Sequence, residues 1–140
     1  MRKHILVIDD EPEILSLMQG WLSLLGYQVS TASDGDEGFW KIRSEKPDVV
    51  ILDGMLPGRS GYQILLDLEK QPERIRKIPV IFLSGRPSME CAAEKTFAFV
   101  AKPFFPKALL EVIEKAIASN PYYGLEAPFE EEAGQTGPLS

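Results

Sequence analysis

The chain is poor in the two side chains that most often carry metal or covalent chemistry: it has one cysteine and one histidine in 140 residues. The lone cysteine, Cys91, has no internal disulfide partner, so a reducing compartment and a cytoplasmic location are expected. The lone histidine, His4, lies far in sequence from any nucleophile, and nothing else offers a base for acyl transfer. Basic residues are also outnumbered, with 15 Lys and Arg against 21 Asp and Glu and a net charge of -6. A pI near 4.8 argues against a nucleic-acid-binding surface. The first apolar run, Ile5 to Ile8, is far too short for a signal or membrane segment.

What is present is ordinary for one globular domain, with 44% hydrophobic and 26% charged residues. Its focus is the stretch Asp48-Val49-Val50-Ile51-Leu52-Asp53-Gly54-Met55-Leu56-Pro57-Gly58. A short unbroken apolar run, rich in β-branched residues and bounded by breakers, reads as a parallel strand buried on both faces. Asp53 then stands at its carboxyl end, the edge where open α/β sheets bind ligands. Alone it is a nucleophile, a metal ligand or a turn residue.

The other elements follow in alternation. Ile5 to Ile8 is a strand ending in Asp9-Asp10-Glu11. Pro12 opens a helix capped by Asp10 or Glu11, with Ile14, Leu15, Met18, Trp21, Leu22 and Leu25 as its stripe and Gly26 as its stop. Tyr27 to Thr31 is a strand, and Asp34 to Ser44 a helix turning Phe39 and Ile42 inward. Ser60 caps a helix from Gly61 to Lys70, with Tyr62, Leu65 and Leu68 inside. Gln71 to Lys77 reads as a charged linker, Pro79 to Leu83 as a strand, and Ser88 to Lys95 as a short helix. Phe97 to Val100 is the last strand, and Pro106 opens the last helix with Leu109, Leu110, Ile113 and Ile117 inward. Such alternation predicts a doubly wound parallel sheet of five strands, order 2-1-3-4-5, in a three-layer α/β/α, flavodoxin-like arrangement. The domain is expected over residues 1–119. Residues 120–140, with Glu126, Glu130, Glu131 and Glu132 and no Lys or Arg, read as an acidic, poorly ordered tail, although Tyr122, Tyr123, Leu125 and Phe129 are apolar enough for part of it to dock on the domain instead.

Four strands end in polar groups on one edge: Asp9 and Asp10, Asp53, Ser84, and Lys102. In the 2-1-3-4-5 order the first and third strands are neighbours, so the three carboxylates meet. They repel, and the site needs a cation or raised pKa values. A hard, oxygen-liganded divalent ion fits, with Mg²⁺ the cellular default. Lys102 offsets charge on the other side, and Ser84 supplies a neutral donor. A carboxylate in this setting can attack phosphorus to give an aspartyl phosphate. Each piece has a plain structural reading too: Asp9-Asp10 as a helix start, Asp53 as a turn residue, Lys102-Pro103 as a solvated loop. Their joint arrival on one edge is what favours chemistry.

Asp9-Asp10, Asp53, Ser84 and Lys102-Pro103-Phe104 together resemble the receiver domain of two-component response regulators, over residues 3–119. The resemblance implies that Asp53 is the phosphoacceptor and that Asp9 and Asp10 are the acid pair that binds Mg²⁺. Asp10, Asp53 and the backbone carbonyl of Met55 are the implied direct ligands, with Asp9 acting through water. Ser84 matches the switch hydroxyl, Lys102 the lysine that pairs with the phosphoryl group, and Phe99 the switch aromatic. The implied donor is a sensor histidine kinase or a histidine phosphotransfer protein, and the implied output a changed contact with a downstream protein, with no nucleic acid or membrane partner. It is a signalling protein, not an enzyme beyond its own phosphorylation and dephosphorylation, and is expected to stand alone without an output domain.

Some positions depart from that pattern. Gly54 and Gly85 replace the usual apolar residue and alanine and are expected to loosen the active loops. Ser84 to Lys102 spans 18 positions, fewer than usual, which affects the output face. Two rivals remain: a receiver-like binding module independent of phosphorylation, and an aspartyl-phosphate phosphatase. The phosphatase type wants a second acid two positions beyond the nucleophile, where this chain has Met55.

Overall fold

The computed structural model describes residues 2–85 and 96–123. Five strands, β1 (His4–Ile8), β2 (Gln28–Ala32), β3 (Val49–Asp53), β4 (Val80–Ser84) and β5 (Ala98–Ala101), form one parallel sheet in the order β2-β1-β3-β4-β5. The helices are α1 (Pro12–Leu24), α2 (Gly35–Glu45), α3 (Gly61–Leu68), the single turn α4 (Glu73–Arg76) and α5 (Pro106–Ser119).

Strand alternation explains the two layers. Leu6 and Ile8 of β1, Val50 and Leu52 of β3, and Val80 and Phe82 of β4 face α2 and α3, packing with Phe39, Ile42, Ile64 and Leu65. Ile5 and Val7, Val49 and Ile51, and Ile81 and Leu83 face α1 and α5, packing with Met18, Leu22, Leu109 and Ile113. Every residue of β3 and β4 is buried, as expected for central strands covered on both sides.

Local signals account for the helix starts. Asp34 caps α2 by accepting from the Glu37 N–H at 2.8 Å, while Glu37 reaches back to the Ser33 N–H at 3.0 Å. Ser60 caps α3 through the Gln63 N–H at 3.1 Å. Pro12 and Pro106 occupy the first turns of α1 and α5, and Gly26 closes α1 with φ of 97°.

Several sequence expectations shift. Glu11, not Asp10, is the N-cap of α1, and its side chain makes no capping bond. Leu25 is 49% exposed rather than part of the α1 stripe. Ile64 joins Leu65 and Leu68 inside, while Tyr62 is only half-buried. The expected linker at 71–77 contains α4, which buries Ile75 under the sheet. The expected helix at 88–95 and Cys91 lie outside the described residues.

The first residues assigned to the tail pack on the domain. Asn120 is buried, and its side-chain N–H donates to the Asp48 carbonyl at 3.2 Å. Its own oxygen accepts from the Tyr122 N–H at 2.9 Å, and Tyr123 packs against the α1/α5 layer. The acidic residues beyond 123 lie outside the described set.

Candidate functional site

The site forms where the apolar runs of β1 and β3 stop together. Ile8 pairs with Leu52, so the next residues, Asp9 and Asp53, emerge side by side. One carboxylate oxygen each from Asp9, Asp10 and Asp53 lies within 4.8 Å of the others. Asp9 and Asp53 are buried and Asp10 is exposed. Lys102 reaches them from beyond β5. Its N–H donates to the Ser84 carbonyl at 3.0 Å, and its peptide bond to Pro103 is cis. Its Nζ lies 2.9 Å from Asp9, 3.4 Å from Glu11 and 3.5 Å from Asp53. Lys102 therefore does not balance the acids from the far side; it lies among them.

The two buried acids differ in how they are satisfied. Asp9 uses both oxygens: Oδ1 accepts from the Glu11 N–H at 2.9 Å and Oδ2 from Lys102. Among the described residues, Asp53 has a long bond from the Met55 N–H at 3.4 Å and the more distant lysine. Burial first, and the charge of Asp9 second, push the Asp53 carboxyl above its ordinary range, with Lys102 and the Met55 N–H pulling weakly the other way. For Lys102, burial acts downward, but the bond to Asp9 and the charges of Asp9, Asp53 and Glu11 outweigh it and raise its pKa. The result is a firmly charged ammonium beside an incompletely compensated carboxylate. The donor set consists of hard oxygens crowded within one ion's reach, which fits Mg²⁺ and does not fit a soft metal.

Other expected site residues fall around this centre. Ser84 ends β4, is buried, and pairs in register with Ala101, next to Lys102. Met55 follows Asp53 with a side chain 75% exposed, at the rim of an open cleft of about 410 Å³ shared with Asp10. Phe99 faces the α2/α3 layer, half-buried and edge-on to Phe82 at 5.4 Å between ring centroids. Phe82 also meets Tyr62 at 4.9 Å.

Gly54 does not loosen this region. A Cβ there would stand 2.9 Å from the Phe82 ring and 3.2 Å from Tyr62, so the missing side chain makes room for the aromatic tier. Gly61 is similarly required, because a Cβ would collide with the Asp53 carbonyl. A Cβ on Gly85, by contrast, would meet nothing within 4 Å among the described residues.

Two participants were not assigned a role by sequence reasoning. Glu11 lies in the acid run and, besides being the N-cap of α1, brings its carboxylate to Lys102. Arg59 carried no signal. Its guanidinium bridges Asp36 of α2 and Asp67 of α3 at 3.1 Å each and lies 4.3 Å over the Phe39 ring.

Comparison with known proteins matches this arrangement. The response regulator receiver domain model covers residues 5–114. The alkaline phosphatase synthesis transcriptional regulatory protein PhoP of Bacillus subtilis is 37% identical over 114 residues, which are 76% of this chain and 45% of PhoP. The chain thus spans about half the length of the curated relatives it matches. The expectation of a receiver without an output domain draws no support from them, since they are named transcriptional regulators. A CheY-like receiver domain protein from Methanospirillum hungatei superposes with a TM-score of 0.77 at 28% identity, covering 89% of this chain and 100% of that one. The response regulator TrrA of Thermotoga maritima, solved in complex with Mg²⁺ and BeF, gives 0.73 at 32% identity over 81% of this chain and 98% of its own. With the family model spanning most of the chain, and the sheet order and acid edge in place, the chain belongs to the response regulator receiver domain family.

Proposed function

We propose that Asp53 accepts a phosphoryl group from a phosphohistidine, carried by a sensor histidine kinase or a histidine phosphotransfer protein. The observation that carries this reading is the state of Asp53: a buried carboxylate with a raised pKa, poorly hydrogen-bonded, beside a charged lysine. A carboxylate whose lone pairs are already taken, such as Asp9, is a poor nucleophile; Asp53 keeps its lone pairs for attack. An Asp53 oxygen forms the new P–O bond as the P–N bond breaks, and the imidazole leaves with the electron pair.

Asp10, Asp53 and the Met55 carbonyl would hold Mg²⁺, which supplies charge neutralisation for the phosphoryl oxygens when bound. Asp9 positions Lys102, and the Lys102 ammonium pairs with the transferred group. The Ser84 hydroxyl donates to it, and Phe99, already turned toward Phe82, follows Ser84 as the switch aromatic. The phosphorylated domain then changes its contacts with a downstream protein. The names of the curated relatives support transcription as the process controlled, with this acidic domain contacting protein rather than nucleic acid.

Neither rival fits as well. A module indifferent to phosphate has no use for three crowded acids and a buried lysine contact, which cost stability. The phosphatase reading lacks its second acid, since Met55 stands there. Among the described residues no helix is long and apolar enough to cross a membrane.

Incubation with acetyl phosphate and Mg²⁺ is expected to add one phosphoryl group by intact mass, and Asp53→Asn to remove that addition. Equal labelling of the variant overturns the assignment.

A further inference from the structure

The loop from Gly54 to Ser60 carries the Met55 carbonyl, yet the Met55 side chain is 75% exposed. The position of that carbonyl must come from other holds on the loop. At its start, Gly54 donates to the Leu83 carbonyl at 3.4 Å and accepts from the Gly61 N–H at 3.1 Å. In its middle, the Pro57 carbonyl accepts from the Gly35 N–H at 3.4 Å. At its end stands Arg59.

Arg59 is the strongest of these holds. One arm of its fork meets Asp36 in the first turn of α2, and the other meets Asp67 near the end of α3, both at 3.1 Å. Asp67 is itself fixed by Gln63 at 2.9 Å. The guanidinium plane lies on Phe39, a core residue of α2. The backbone is locked as well: a Cβ on Gly35 would run into the Arg59 carbonyl. The loop is thus riveted to two helices that do not belong to the acid site.

We infer that Arg59 is a positioning residue for metal binding: by tying the 54–60 loop to α2 and α3, it holds the Met55 carbonyl where the acids can share an ion. This rests on the reading of Met55 and the acids as the Mg²⁺ site. Fixing a ligand in advance lowers the ordering cost of binding. The charge of Arg59 acts in the opposite direction, because a cation near the site repels Mg²⁺. The two effects therefore predict opposite signs for its removal.

The test is a Mg²⁺ titration of the whole chain, followed by backbone amide shifts of residues 53–58, for wild type, Arg59→Ala and Arg59→Lys. The expected result is a dissociation constant raised about tenfold in Arg59→Ala, the low end for groups that orient a ligand. Arg59→Lys keeps the charge but cannot bridge both acids, and is expected to weaken binding about threefold. In acetyl phosphate labelling, the Mg²⁺ concentration for half-maximal rate should rise far more than the maximal rate falls. Unchanged or tighter Mg²⁺ binding in Arg59→Ala overturns the inference, as does a native-like Arg59→Lys if Arg59→Ala fails to fold. If wild type itself shows no Mg²⁺-dependent shifts or labelling, the functional reading falls and takes this one with it. A normal wild type with an indifferent variant removes the Arg59 role alone.

Discussion

Strand β3 begins after one aspartate, Asp48, and ends in another, Asp53. Burial pushes both carboxyls above the ordinary range. Their surroundings then diverge. Asp48 accepts a short bond from the His4 N–H at 2.7 Å, and its own N–H donates to the His4 carbonyl at 2.8 Å. Its carbonyl receives Asn120, and His4, Arg74 and Lys3 lie near enough to draw its pKa down. Asp53 faces another acid and, among the described residues, makes long contacts. One end of the strand uses its carboxylate to close the fold; the other leaves a carboxylate incompletely satisfied. The same residue type, on the same strand, becomes structural or reactive according to whether its lone pairs are already committed.

The sharpest way to break this contrast is to neutralise each acid in turn. Asp53→Asn should lower phosphoryl incorporation by more than about a hundredfold, since an amide is no nucleophile here. Asp48→Asn should label at the normal rate, because the amide oxygen still accepts from His4. Equal losses in both, read by intact mass, would erase the distinction between the two ends.

Stability should show the reverse order. Asp48→Ala leaves the His4 N–H without its acceptor and should cost about 1–3 kcal/mol in urea unfolding, with labelling of the surviving folded protein preserved. A smaller loss is expected for Asn120→Ala, about 1 kcal/mol, because one side-chain bond to the Asp48 carbonyl is removed from the packed turn at 120–123. If Asn120→Ala melts as wild type does, that turn contributes nothing to the domain.

The smallest effect is on pH dependence. The raised Asp53 pKa means that its ionised form is disfavoured by folding, so its share of stability is present at low pH and lost as pH rises through the folded value. Without metal, Asp53→Asn should therefore melt a few degrees above wild type at neutral pH. That gain should vanish as pH falls below the ordinary carboxylate value of 3.8. A gain that persists in acid would mean that repulsion is not its source. Millimolar Mg²⁺ should cancel the difference by stabilising only the wild type.

Much of this arrangement was legible in the chain because its signals are local. Apolar runs ending in acids place Asp9, Asp10 and Asp53 on one edge. The run Ile5 to Ile8 and the run Val49 to Leu52 stop in register, Ile8 beside Leu52, and that register is a property of the paired strands in the fold. Arg59, Glu11 and Gly54 were not legible in the same way. Arg59 joins residues 23 positions before it and 8 after it, a triangle with no periodic trace. Gly54 read as a source of looseness because its reason, the Phe82 ring, lies on the next strand.

The alternation of strands and helices, the parallel sheet that such alternation requires, and the edge on which the polar residues gather are all written into the chain. These depend on periodicity and on where apolar runs end, which each segment carries within itself. Which acid is satisfied and which is left poised is a matter of the fold. That depends on distances among side chains far apart in sequence: Lys102 leans toward Asp9 rather than Asp53, and Asn120 folds back beneath Asp48. Hydrogen bonds and charges act over a few ångströms of space. The chemical character of each carboxylate is therefore set by its neighbours in the fold, not by its neighbours in the chain.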